Sequence, residues 1–223
     1  MPEHLTWPPP ELAVPPVFLP PTPPAVGQDG ISRYCGLSYA TNSGYRSRLL
    51  DLHVPRTDRP PAVVVWIHGG AWMEGDRRFP PPTLPPDLLF GSLLRAGLAV
   101  ATIDYRHARE APFPAQLHDV KAALRYLRHF AGQLGVATRI AVWGESAGGH
   151  LAALAGLTAH ADASLQGSEG VPAGDTAVAA VVDWYGIADL RPLLPAEPAP
   201  DNPFSTVLRG DPADLPERAA AAS

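Results

Sequence analysis

Residues 144–148 read Gly-Glu-Ser-Ala-Gly, between an apolar run, Ile140-Ala141-Val142-Trp143, and a small-residue stretch beginning His150-Leu151-Ala152-Ala153. A Gly-x-Ser-x-Gly between a strand and a helix folds into a sharp turn that lifts the serine hydroxyl above the sheet. Gly144 and Gly148 shape that turn, because a side chain at either position would collide with neighbouring backbone. Ser146 is therefore a candidate nucleophile. The chemistry it suits is acyl transfer through a covalent intermediate.

Acyl transfer builds negative charge on a carbonyl oxygen, and fixed donors must meet that charge. A second motif, His68-Gly69-Gly70-Ala71-Trp72, follows another apolar run, and the amides of a glycine-bearing turn are open to such an oxygen. The N–H of Ala147 is the expected second donor, since it follows the serine and opens a helix whose dipole favours negative charge.

Both motifs need strands to carry them. Residues 62–68 and 98–105 are continuous apolar runs, as expected of strands buried on both faces. Residues 48–54 suit an earlier strand, and 178–185 a strand after the serine turn. Leu117, Val120, Leu124, Leu127 and Phe130 recur at helical spacing within 115–131. Strands alternating with helices predict an α/β domain with a mostly parallel sheet and helices on both faces. The polar stretch 160–176 reads as a surface loop, and the proline-rich 187–223 as a cap or pocket segment.

Ten of the 28 prolines fall in the first 24 residues, so 1–35 is expected to be an extended or disordered arm ahead of a domain over 36–223. A proline-rich ligand for a partner domain is its functional alternative. At 223 residues and 46% hydrophobic, the chain can bury one sizeable core. A net charge of -5 argues against nucleic acid or an anionic membrane as partner. No basic leader and no run long enough to span a bilayer are present, and Cys35 is the single cysteine. These features predict a cytoplasmic protein with an inert, half-buried thiol.

Four motifs together carry a resemblance: His68-Gly69-Gly70-Ala71-Trp72, Asp104-Tyr105-Arg106, Ala111-Pro112-Phe113-Pro114-Ala115, and Gly144-Glu145-Ser146-Ala147-Gly148-Gly149-His150. In this order the chain resembles α/β-hydrolase esterases over roughly residues 36–223, notably carboxylesterases related to hormone-sensitive lipase and to bacterial feruloyl and acetylxylan esterases. The resemblance implies Ser146 as nucleophile, Gly70, Ala71 and Ala147 as oxyanion-hole positions, and His68 and Gly69 as residues that shape the loop. It implies a small-molecule ester substrate and no metal or cofactor. Tyr105, Arg106 and Asp119 match scaffold positions, expected to be buried polar links. Trp72 and Trp184 are expected in core packing rather than lining a pocket.

The family places its acid and its histidine after two further strands, in the order Ser, Asp, His. The sequence here runs to Ala219-Ala220-Ala221-Ala222-Ser223, so about 60 residues, two strands and two helices with the triad acid and base, are expected to be missing. Substitutes are weak. His160 stands about 20 Å from Ser146 along a continued helix. His150 leans back toward the serine, but the turn points the hydroxyl away. His107 and Asp183 are strand-end residues with ordinary loop roles. The last strand is expected to form an open edge able to pair with another chain. Three readings remain: a serine carboxylesterase impaired as this chain, an amidase resembling kynurenine formamidase, and a non-catalytic hydrolase that binds a ligand or partner.

Overall fold

The computed structural model describes residues 16–42, 44–78, 80–81, 84–161, 163–190, 202–211 and 214–223. Its centre is a seven-stranded sheet in the order β1-β2-β3-β5-β4-β6-β7. The strands are β1 (Ala25–Val26), β2 (Ser32–Ala40), β3 (Arg48–Val54), β4 (Val63–Ile67), β5 (Ala99–Ile103), β6 (Ile140–Glu145) and β7 (Ala180–Trp184). β1, β2, β3 and β5 pair antiparallel in succession, whereas β5, β4, β6 and β7 run parallel.

Alternation along β4 explains its continuous apolar run. Val63, Val65 and Ile67 enter the main core, which includes Leu117, Val120 and Leu124 of α2 (Ala115–His129) and Leu151 and Ala155 of α4 (Ala147–Leu157). Trp66 points to the other face, where its ring meets Phe90 at 5.8 Å and Trp143 at 5.6 Å. Phe90 belongs to a π-helical turn, Asp87–Gly91, that leads into α1 (Ser92–Arg95). Helices thus cover both faces, and the α/β expectation holds.

The expected arm is shorter than 1–35. Residues 1–15 lie outside the described residues, but the chain from Pro16 onward is bound to the domain and β2 begins at Ser32. Leu19 N–H donates to Ser38 O at 2.9 Å, and Thr41 N–H donates to Val17 O at 2.8 Å. The Phe18 ring packs on Tyr126, His129 and Phe130. Proline removes donors but leaves carbonyls, and those of Leu19 and Pro21 accept from Tyr126 and Gln133. Cys35 is exposed rather than half-buried, because it sits on the outward side of β2.

Two expected irregular regions contain helices. α3 (Ala131–Leu134) extends the α2 region, and α5 (Ala163–Gln166) lies within the surface loop. Arg125 pins that loop through the carbonyls of Gln166, Glu169 and Val171. In the proline-rich segment, α6 (Pro203–Leu208) and α7 (Pro216–Ala221) each start on a proline, where its missing N–H costs nothing. Residues 191–201 of that segment lie outside the described residues. Among the described residues β7 is an edge of the sheet, with Val181 39% and Val182 41% exposed.

Candidate active site

The serine turn sits at the carboxyl end of β6, beside the carboxyl end of β4, with Ile67 in register with Gly144. Ser146 has φ 50° and ψ -119° and is immediately followed by α4. Such a conformation costs a residue with a side chain about 1–3 kcal/mol and persists only where the surroundings hold it. Here Ser146 N–H donates to Trp184 O of β7 at 2.8 Å, and Ser146 O accepts from His150 N–H at 3.0 Å. A Cβ on Gly144 would press into the Gly148 carbonyl within 3.0 Å, and one on Gly148 into the carbonyls of Ile67 and His68. Both glycines are sterically required.

The His68–Trp72 loop lies against this turn, since a Cβ on Gly69 would stand 3.2 Å from Glu145 O. Gly70 has φ 102°, and a Cβ there would meet Glu74 O within 3.0 Å. Ala71 and Trp72 follow at φ 52° and 59°. Gly70 O accepts from the amides of Met73 and Glu74, which closes the turn. Among the described residues, the amides of Gly70, Ala71 and Ala147 donate to no protein acceptor. They remain available to an oxygen placed above the sheet edge.

His68 is buried under this loop. Its ring stacks on Tyr105 at 4.3 Å, and Nδ1 lies 2.7 Å from Gly69 O, so Nδ1 carries the proton. Burial pulls its pKa down to about 4, so the ring is neutral near pH 7. Tyr105 Oη donates to the carbonyls of His68 and Gly69 at 3.0 and 3.2 Å. Burial first, then the Glu145 charge, raises the Tyr105 pKa and keeps the phenol a donor.

The scaffold positions are buried polar links, as expected. Arg106 places Nε and Nη2 at 2.8 and 2.9 Å from the two Asp119 oxygens, and its own N–H donates to the same carboxylate. Trp72 is 1% exposed, and Trp184 packs edge to face on Trp143 at 4.6 Å.

The candidate bases are occupied elsewhere. His150 is buried, with Nδ1 facing the Trp72 indole and Nε2 facing Ala222 O. His107 Nε2 lies 3.2 Å from Gly75 O. His160 is exposed and borders a cleft with Arg125 and Thr176, away from the serine turn. Asp183 Oδ1 accepts from Gly186 N–H at 2.7 Å, the strand-end role expected of it. Among the described residues, no histidine is hydrogen-bonded to Ser146 Oγ.

Two features escaped the sequence. Arg77 donates to Asp104 through its amide at 3.0 Å and its guanidinium at 2.9 Å, and to Asp51 at 3.1 Å. This network fixes the chain just beyond the glycine loop, but its carboxylates come from β3 and the end of β5. Tyr185, at φ 46°, is 70% exposed and donates to Glu145 Oε2 at 2.6 Å beside the serine. A positive φ on tyrosine has no sequence signature.

Comparison with known proteins places this geometry. Esterase LipC of Mycobacterium tuberculosis is 35% identical over 187 residues, which cover 82% of this chain and 42% of LipC. The chain spans less than half the length of the mycobacterial relatives LipC and LipQ that it matches. A bifunctional GH43-CE protein of Bacteroides eggerthii is similar in structure, with a TM-score of 0.74 and 32% identity over 86% of this chain and 28% of that one. A truncated form of a carbohydrate esterase from gut microbiota has a TM-score of 0.72 and 29% identity, covering 91% and 74%. The family model described as BD-FAE matches residues 50–223. The chain belongs to the BD-FAE family of α/β-hydrolase-fold esterases.

Proposed function

We propose that this protein is a serine carboxylesterase acting on small carboxylic esters, with Ser146 as nucleophile. The observation that carries the reading is the strained Ser146 at φ 50°, directly after β6 and next to a loop with unpaired amides that follows adjacent β4. Ser146 Oγ would attack the ester carbonyl, its proton leaving on the expelled alcohol, and water would then cleave the acyl-enzyme to the carboxylic acid and free Ser146. The amides of Gly70, Ala71 and Ala147 would hold the oxyanion, and His68, Gly69, Gly144 and Gly148 would keep both turns in shape. Ala71, rather than an aromatic residue, precedes Trp72, which favours an ester over an N-formyl substrate.

The test is turnover of a short-chain aryl acetate against an N-formyl aniline, by the complete protein and by its Ser146→Ala variant. Ester cleavage lost in the variant is expected; equal cleavage by both proteins would overturn the proposal.

A second reading rests on the committed nitrogens of His107 and His150: a hydrolase-fold chain that binds a ligand or partner without turning it over. α6 supports a covering role for its part of the chain, because Phe204 reaches Trp72 at 6.0 Å. The exposed Val181 and Val182 on edge strand β7 support self-association through that edge. No helix among the described residues is long and apolar enough to cross a membrane. With the single exposed Cys35, this suits a cytoplasmic setting.

A further inference from the structure

His150 closes a buried chain that joins three separate elements. Its Nδ1 lies 3.3 Å from the indole Nε1 of Trp72, and its Nε2 lies 2.6 Å from Ala222 O. An indole nitrogen only donates and a carbonyl only accepts, so the ring carries its proton on Nε2 and leaves Nδ1 bare. One neutral tautomer satisfies both partners. The two rings also meet edge to face at 5.2 Å, with Trp72 and His150 only 1% and 3% exposed.

Trp72 needs such a hold. It stands at φ 59° directly after Ala71 at φ 52°, and consecutive left-handed residues with side chains persist only where their surroundings fix them. The Trp72 carbonyl is fixed by the Ala108 amide at 2.7 Å, and the indole by His150. His150 is itself one turn beyond Ser146 on α4. This ring therefore adds a side-chain tie between the loop that carries the open amides and the helix that starts at Ala147.

We propose that His150 is a positioning residue: it holds the Trp72 indole and thereby keeps the Ala71 amide aimed at the oxygen above Ser146. The proposal rests on the reading of Ser146 as nucleophile. His150 touches no reacting atom, and its bond to Ala222 makes the chain beyond α7 a third anchor of the same loop.

Three variants of the full chain test this, with kcat and KM for an aryl acetate, the rate of fluorophosphonate reaction at Ser146, and the melting temperature. His150→Asn keeps an acceptor where Nδ1 lies, whereas His150→Gln reaches only the Nε2 position. Trp72→Phe removes the indole N–H. His150→Gln and Trp72→Phe should each lower kcat and the labelling rate about 10²-fold with KM unchanged, the scale of a lost oxyanion donor. Their combination should add nothing further, and His150→Asn should restore most of the rate.

Losses that add in the double variant, or an Asn variant as impaired as the Gln variant, would overturn the proposal. So would unaltered rates throughout. A wild-type chain inert to the fluorophosphonate would instead overturn the reading of Ser146, and with it the catalytic role given to His150. Hydrogen exchange of the Trp72 indole proton needs no catalysis. It should be slow in wild type and in His150→Asn and fast in His150→Gln, and equal rates in all three would refute the hold itself.

Discussion

Gly148 lies so close to the Ile67 carbonyl that a Cβ on it would sit within 3.0 Å of that oxygen. The start of α4 is thus pressed against the end of β4, and the serine turn and the glycine loop share one wall. Neither side of this contact is a flexible side chain. Gly148→Ala should therefore destabilise the fold by about 1–3 kcal/mol, the cost of forcing atoms into a packed interior. Thermal or denaturant unfolding measures this, and an unchanged midpoint would show that the contact is looser than described.

Asp119 is fully buried, and two arginines, Arg106 and Arg48, converge on its carboxylate. Burial works against the Arg106 charge, but hydrogen bonds to Asp119 and Glu169 outweigh it and raise its pKa. Asp119→Ala would leave two cations in the interior without their shared counter-charge. A loss of about 3–5 kcal/mol is expected, read from urea unfolding. A loss under about 1 kcal/mol, the range of a surface pair, would contradict the buried geometry.

How far the sequence foretold this structure follows from which contacts are local. β4 and β5 are buried on both faces, so their unbroken apolar runs were readable, as was the amphipathic α2. β2 was not: its antiparallel partner β3 lies across a loop, and the prolines before it suggested disorder. α6 and α7 were hidden because Pro203 and Pro216 read as breakers although they begin helices. At the turn, Ser146, Gly144, Gly148 and Gly70 were readable, because the conformation or close approach that each must adopt belongs to its own short motif. The bonds of His150 did not, since Trp72 and Ala222 are 78 and 72 residues away.

His68 gives the fold a pH dependence of known sign. Its folded pKa, lowered by burial to about 4, lies below the ordinary 6.5 of an unfolded chain. Its contribution is whole above pH 6.5 and is lost as pH falls toward 4, with a slope of up to about 1.4 kcal/mol per pH unit. Burial lowers the pKa of His150 and His53 as well, so these two rings act in the same direction. The stability gap between wild type and His68→Asn should be widest at neutral pH and shrink toward pH 4. A gap that does not vary with pH would contradict a buried neutral His68.

The outer edge of β7 makes the self-association proposal testable by a single charge. Val182→Lys places an ammonium on an exposed edge position, a substitution that blocks strand pairing between copies. Sedimentation velocity should show dimers or larger species of the wild type giving way to monomer in the variant. Identical sedimentation of the two proteins would remove the edge as an interface.

The most direct test of the account is the site of covalent attack. The protein is incubated with a fluorophosphonate, digested, and mapped by mass spectrometry beside Ser146→Ala. An activated serine is expected to carry the adduct on the peptide containing Ser146, with none in the variant. No adduct, or the same adduct in both proteins, would contradict Ser146 as nucleophile and leave the binding reading in its place.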